Sequence, residues 1–176
     1  AGAGGGAGLD GPLRREATAV PRSGPVGASA APPPPRAARG RDELGIGQAD
    51  LDRFERALGE VQAAYAAEDV TALRRLATPE VVSVLAEELT ENAGRGVVNH
   101  VTDVKLLQGD VAESWCEQGR EYATVAMRFG LRDWTTDRAT GRVVEGDPDR
   151  PTEATEVWTF VRPRGGNWLL SAIQRA

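Results

Sequence analysis

The chain has 176 residues, 40% of them hydrophobic and 27% charged, with a formal net charge of −5. That length suffices for one domain with a real core, and no apolar run approaches the roughly 20 residues that span a bilayer as a helix. A single cysteine, Cys116, rules out an internal disulfide, and with one histidine the chain has too few ligands for a structural zinc site of Cys and His.

Charge is spread unevenly. Residues 1–49 hold 6 basic and 4 acidic groups, net +2, whereas residues 50–176 hold 15 basic and 22 acidic groups, net −7. An acidic body repels a nucleic-acid backbone, so nucleic acid is not expected as a partner. No stretch reads as a signal peptide. The chain opens on Ala1 rather than Met, which points to a processed product or a piece of a longer protein.

Residues 1–47 read as a flexible Gly/Pro/Ala-rich linker or tail. Residues 1–49 contain 7 of the 11 prolines and 11 of the 21 glycines. Such a stretch has few large side chains to bury. Pro32–Pro35 should be stiff and extended. Arg36, Arg39 and Arg41 alternate with small residues, a spacing that suits an anionic membrane surface.

From residue 48 onward the pattern predicts one α+β domain, 48–176. Leu51, Phe54, Leu58, Val61 and Tyr65 recur every three or four residues, one apolar stripe on a helix. Asp50 is the expected cap of that helix, and Asp52 with Arg56 an i,i+4 pair on its polar face. A short helix over Val70–Ala77 follows, capped by Asp69, with Leu73 and Leu76 inward. Thr78-Pro79 starts a third helix running to about Asn92, with Val81, Val82, Leu85 and Leu89 inward. Thereafter the period becomes two. Val98–Leu107 reads as a strand closed by a turn at Gln108-Gly109-Asp110, and Val111–Gln118 as a second strand or irregular edge. Tyr122–Trp134 is the clearest strand, with Ala123, Val125, Met127, Phe129 and Leu131 on one face. Residues 138–151 read as a long hairpin loop. Thr152–Arg162 and Trp168–Gln174 are the last strands, joined through Arg164-Gly165-Gly166-Asn167. Helices followed by a meander of four or five strands imply helices packed on a curved, mainly antiparallel sheet.

The segments Val97–Val104, Tyr122–Phe129, Glu156–Arg162 and Trp168–Gln174, in that order and behind the helices from Phe54 to Leu89, resemble the Tim44-like domain. The resemblance implies a cone fold of the nuclear-transport-factor-two-like kind, with an apolar pocket or groove. It implies an adaptor at a membrane, holding a protein partner, an anionic lipid or both, in a parent protein anchored by a region absent from this chain. It carries no catalytic residues and no cofactor.

Individual residues sharpen that expectation. Trp158, Phe160 and Trp168 sit on adjacent strands and either pack the core or line the pocket. Glu156 shares the face of Trp158. Arg128, which shares a face with Tyr122, is a candidate partner for Glu156, either as a surface pair or as a buried one that orients a ligand. Arg74 and Arg75 on the short helix, with Arg53 and Arg56 on the first, are candidate contacts for lipid headgroups or else a solvated face. His100 could serve a cone-fold enzyme only with a carboxylate from another strand, such as Asp133, Glu117 or Glu121. Cys116 reads as buried apolar filler. No phosphate-binding loop or calcium loop is present, and no metal site is expected. The favoured function is a membrane-proximal binding or adaptor domain. A small-molecule enzyme and a self-associating structural domain are the alternatives.

Overall fold

A computed structural model describes residues 42–175. Most of the expected linker, with Pro32–Pro35 and Arg36, Arg39 and Arg41, lies outside the described residues. Three helices, α1 (Gln48–Ala66), α2 (Val70–Leu76) and α3 (Pro79–Gly94), precede five strands: β1 (Val97–Glu117), β2 (Arg120–Asp137), β3 (Val143–Gly146), β4 (Thr152–Pro163) and β5 (Leu169–Arg175). The strands form one antiparallel sheet in the order β1-β2-β4-β5, with β3 attached to β2. This is the expected α+β architecture of helices over a curved sheet.

The α1 stripe is buried at Phe54, Leu58, Val61 and Tyr65. Its N-cap is Gly47, three residues before Asp50. Asp50 therefore sits at the third helical position, where its Oδ2 accepts from the Gly47 N–H at 3.3 Å. The expected Asp52–Arg56 pair gives way to a bond from Gln48 Nε2 to Asp52 at 2.8 Å. Asp69 caps α2 as expected, accepting from the Ala72 N–H at 3.0 Å. Thr78 is the N-cap of α3 without a side-chain capping bond. Its N–H instead donates to the Leu170 carbonyl at 2.9 Å, and Ala77 makes a parallel bridge with Leu170. The joint between α2 and α3 is thus stitched to β5.

The expected turn at Gln108-Gly109-Asp110 does not form; β1 runs through it as a single 21-residue strand. Straight, such a strand would extend roughly 70 Å, far beyond a small domain. It bends instead, through register shifts at Thr102/Lys105, Leu106/Gln108 and Val111/Glu113. Asp103, at φ 54°, supplies the backbone twist of the first bulge. Gly109 stays in the ladder opposite Met127. The expected loop over 138–151 also differs, because Val143–Gly146 within it pairs with β2.

The inward face of β2 is the floor of the core, with Ala123, Val125, Met127, Phe129 and Leu131 all buried. Helices α1 and α3 cover it. The tightest seam lies where Phe54 stacks on Phe160, centroids 4.3 Å apart, with the Trp168 ring edge-on at 5.2 Å. Around it, Trp168 Nε1 donates to Asp50 Oδ1 at 3.1 Å, and the Arg162 guanidinium lies 4.2 Å from the Trp168 ring centroid and 3.3 Å from Asp50. At the other end, Arg138 forks onto Glu68 at 2.7 and 3.0 Å and reaches the Val97 carbonyl at 3.0 Å. That bond to Glu68 raises the Arg138 pKa above its ordinary value.

Two outcomes check this packing. Phe54→Ala should cost about 3–5 kcal/mol, read as a lower urea midpoint with the slope unchanged. Gly146 and Gly165 both have positive φ, but an added Cβ at Gly146 would sit 2.5 Å from the Asp133 carbonyl oxygen, whereas at Gly165 nothing lies within 4 Å. Gly165→Ala should cost about 1–2 kcal/mol, and Gly146→Ala clearly more, measured in the same denaturation series.

Candidate functional site

Alternation along β4 puts Glu156, Trp158 and Phe160 on the inward face, and all three are buried. Trp158 is 0% exposed, and its Nε1 donates to Glu156 Oε2 at 3.2 Å. Phe160 is taken by Phe54 and Trp168 by Asp50 and Arg162. The rings expected to line a pocket are packed on the chain's own side chains. Glu156 and Arg128 do not pair. Met127 stands opposite Glu156, so Arg128 points to the other face of the sheet, where it meets Glu153 at 3.1 Å. Tyr122, on that outer face, stacks on Trp115 with centroids 5.1 Å apart.

His100 also faces outward. It stacks on Trp134 at 5.2 Å, and its Nε2 lies 2.8 Å from the Thr136 hydroxyl. Of its three suggested carboxylate partners, Asp133 lies on the inner face, accepting from Asn99 Nδ2 at 2.7 Å, and Glu121 lies 3.3 Å from Arg162. Cys116 is exposed, not buried. It lies near the end of β1, directly after the buried pair Ser114 and Trp115.

The arginines lead to a different place. Arg75, in the last turn of α2, lines a cleft of about 430 Å³ between the C-terminal half of α1 and α2. Its walls are Ala63, Ala64, Ala67, Ala72 and Leu76, and its polar edge is Glu60, Asp69 and Arg75. Arg53 reaches that edge indirectly, 3.5 Å from Glu60. Arg56 and Arg74 are exposed and are not among the residues that line the cleft. The alanines create the space: on facing helices a methyl group leaves a furrow where a longer side chain would fill it. Sequence reasoning missed this cleft because it followed the large apolar residues. The signal available was Ala63, Ala64 and Ala67 on one flank of α1 opposite Ala72 and Leu76. It is a groove open to solvent along much of its surface rather than an enclosed pocket.

A model of the Tim44-like domain matches residues 41–175. The chain belongs to the Tim44-like domain family. Among curated proteins none matches. Solved structures with a similar course of the chain include the intermembrane space region of the chloroplast protein ARC6, 12% identical, covering 72% of this chain and 98% of that one, with a TM-score of 0.47. A nuclear transport factor 2-like superfamily protein from Salmonella enterica is 14% identical over 71% of this chain and 88% of its own, with a TM-score of 0.42. A ketosteroid isomerase-like protein from Erwinia carotovora is 17% identical over 73% and 95%, with a TM-score of 0.39. None of these scores reaches 0.5, so the assignment stands on the family match. Among the described residues of this Tim44-like domain, no helix is long and apolar enough to cross a membrane.

Close to the Arg138 clamp, Asp137 closes the turn between β2 and β3. Its Oδ1 accepts from the N–H groups of Ala139 and Thr140, both at 2.9 Å, and from the Thr140 hydroxyl at 3.2 Å. These bonds, with the backbone N–H of Thr140 foremost, hold its pKa below the usual 3.8. A depressed folded-state pKa means the turn is supported above the unfolded value, and that support is lost as pH falls through the folded one. A carboxyl-detected NMR titration should place the Asp137 midpoint below the usual 3.8, and Thr140→Val should move it upward.

Proposed function

We propose that this chain is a membrane-proximal binding or adaptor domain that holds a lipid chain or a segment of a protein partner in the α1–α2 cleft. Membership in the Tim44-like family supports an interaction module. The observation that carries the reading is the cleft itself, an alanine-walled furrow with Arg75 at its edge. An apolar side chain or acyl segment gains by leaving water there. Arg75 supplies positive charge at the edge for a phosphate or carboxylate, and Arg74, exposed next to it in sequence, adds to the basic character of the α2 surface outside the cleft. The pocket residues expected from sequence, Trp158, Phe160 and Trp168, then act as the rigid floor that holds α1 in place rather than as contacts.

A catalytic reading gains no support from His100, whose ring nitrogen meets a threonine hydroxyl on the outer face. General acid–base work by histidine asks for a tuned partner beside a substrate site.

The test is co-sedimentation with vesicles of phosphatidylcholine containing about one third phosphatidylglycerol. Binding should exceed that to phosphatidylcholine alone and weaken as salt shortens the Debye length to about 3 Å near 1 M. Arg74→Glu with Arg75→Glu should reduce binding several-fold, and Ala63→Trp, which fills the furrow, should do the same without lowering the melting temperature. If neither change alters binding to vesicles, and neither alters capture of a partner protein, the cleft is not the site.

A further inference from the structure

A second surface lies on the opposite flank of the sheet. Strand β1 is an edge strand, paired on one side with β2. An edge presents alternate N–H and C=O groups that call for partners. At Ser114 the lead-in to α1 touches this edge: Asp42 makes an isolated parallel bridge with Ser114, and the Glu43 N–H donates to the Ser114 carbonyl at 3.2 Å. The Leu44 N–H and the Asp42 carboxylate both bond the Ser114 hydroxyl, which fixes the lead-in segment there. Among the described residues, nothing pairs with the edge ahead of Ser114. The run Leu107–Asp110 is exposed, and Leu107 keeps 40% of its surface in solvent.

Charge selects the occupant. Asp110 and Glu113 lie on this edge, and Asp42 and Glu43 lie at its end, against Lys105 as the one cation from Val104 to Glu113. A second copy of β1 laid in register in the parallel sense would set Asp110 against Asp110 and Glu113 against Glu113, which penalises that self-pairing. An arginine-bearing strand meets the opposite sign, and Leu107 gives one of its apolar side chains a cross-strand contact. We propose that Val104–Ala112 is a docking edge for an extended, basic segment of a partner protein. The segment adds to β1 in the parallel sense that Asp42 and Glu43 already follow. Main-chain bonds supply the affinity and the carboxylates the selection. This site is separate from the α1–α2 cleft and stands whether or not the cleft binds lipid.

The whole chain, isotopically labelled, is titrated with acetyl-(Val-Arg)5-amide and, as a control, acetyl-(Val-Glu)5-amide. The basic peptide should shift the amides of residues 104–112 and slow their hydrogen exchange, and the acidic one should not. Asp110→Lys with Glu113→Lys should weaken binding about tenfold, Asp110→Asn with Glu113→Gln should weaken it less, and Ala63→Trp should leave it unchanged. Dispersed amide spectra show that each variant is folded. The proposal fails if the shifts map to the cleft or if both peptides bind alike. It fails equally if the edge amides are protected in a concentration-dependent way by a second copy. Protection already present in the chain alone and released by Arg36→Glu, Arg39→Glu and Arg41→Glu would give the edge to the chain's own basic stretch and overturn the assignment to a partner.

Discussion

The placement of α1 on the sheet depends on one contact zone, where Phe54 stacks on Phe160 beneath Trp168 and Asp50 gathers the polar atoms around them. Aromatic faces give this seam its area, and stacked rings add about 0.5–1.5 kcal/mol beyond burial alone. The carboxylate adds direction. It holds the Gly47 N–H at the start of α1, the Trp168 indole on the entry to β5 and the Arg162 guanidinium on β4. The start of α1 is thereby tied to both arms of a hairpin 112 to 118 residues further along the chain. With α1 seated on the sheet against β1 and β4, Leu58, Val61 and Tyr65 are buried.

Much of this was legible in the sequence, and particular residues show why. Spacing of three and four from Leu51 to Tyr65 and period-two spacing from Ala123 to Leu131 each belong to one secondary structure only. Asp69 and Thr78-Pro79 mark helix starts by local chemistry. The failures share a cause: they concern features settled by the partner strand. Gly109 and Asp110 carry turn chemistry, yet β2 offers a continuous ladder, and three bulges allow β1 to take it. The loop around Val143 became a strand because the end of β2, past its last pairing with β4 at Leu131, had one side still open. Arg128 and Glu156 are opposite in charge but one position out of phase, so the pleat sends them to different faces.

The candidate site was harder to read for a different reason. Trp158, Phe160 and Trp168 are prominent in the sequence and suit either a ligand or the core; only their neighbours decide. Phe54 and Glu156 made that decision here. A furrow, by contrast, is built from what is missing. Ala63, Ala67 and Ala72 draw no notice in a chain rich in alanine, and their effect appears only once α1 and α2 face each other. Arg75 was noted for its charge and proved to stand at the edge of that furrow.

The stitching of Ala77 and Thr78 to Leu170 bears on how such a furrow can select. One wall is held to β5 by a backbone bridge at Leu170, and the other belongs to a helix anchored at its far end by Asp50. The width of the gap is therefore set by how the two helices seat on the sheet as much as by the alanines that line it.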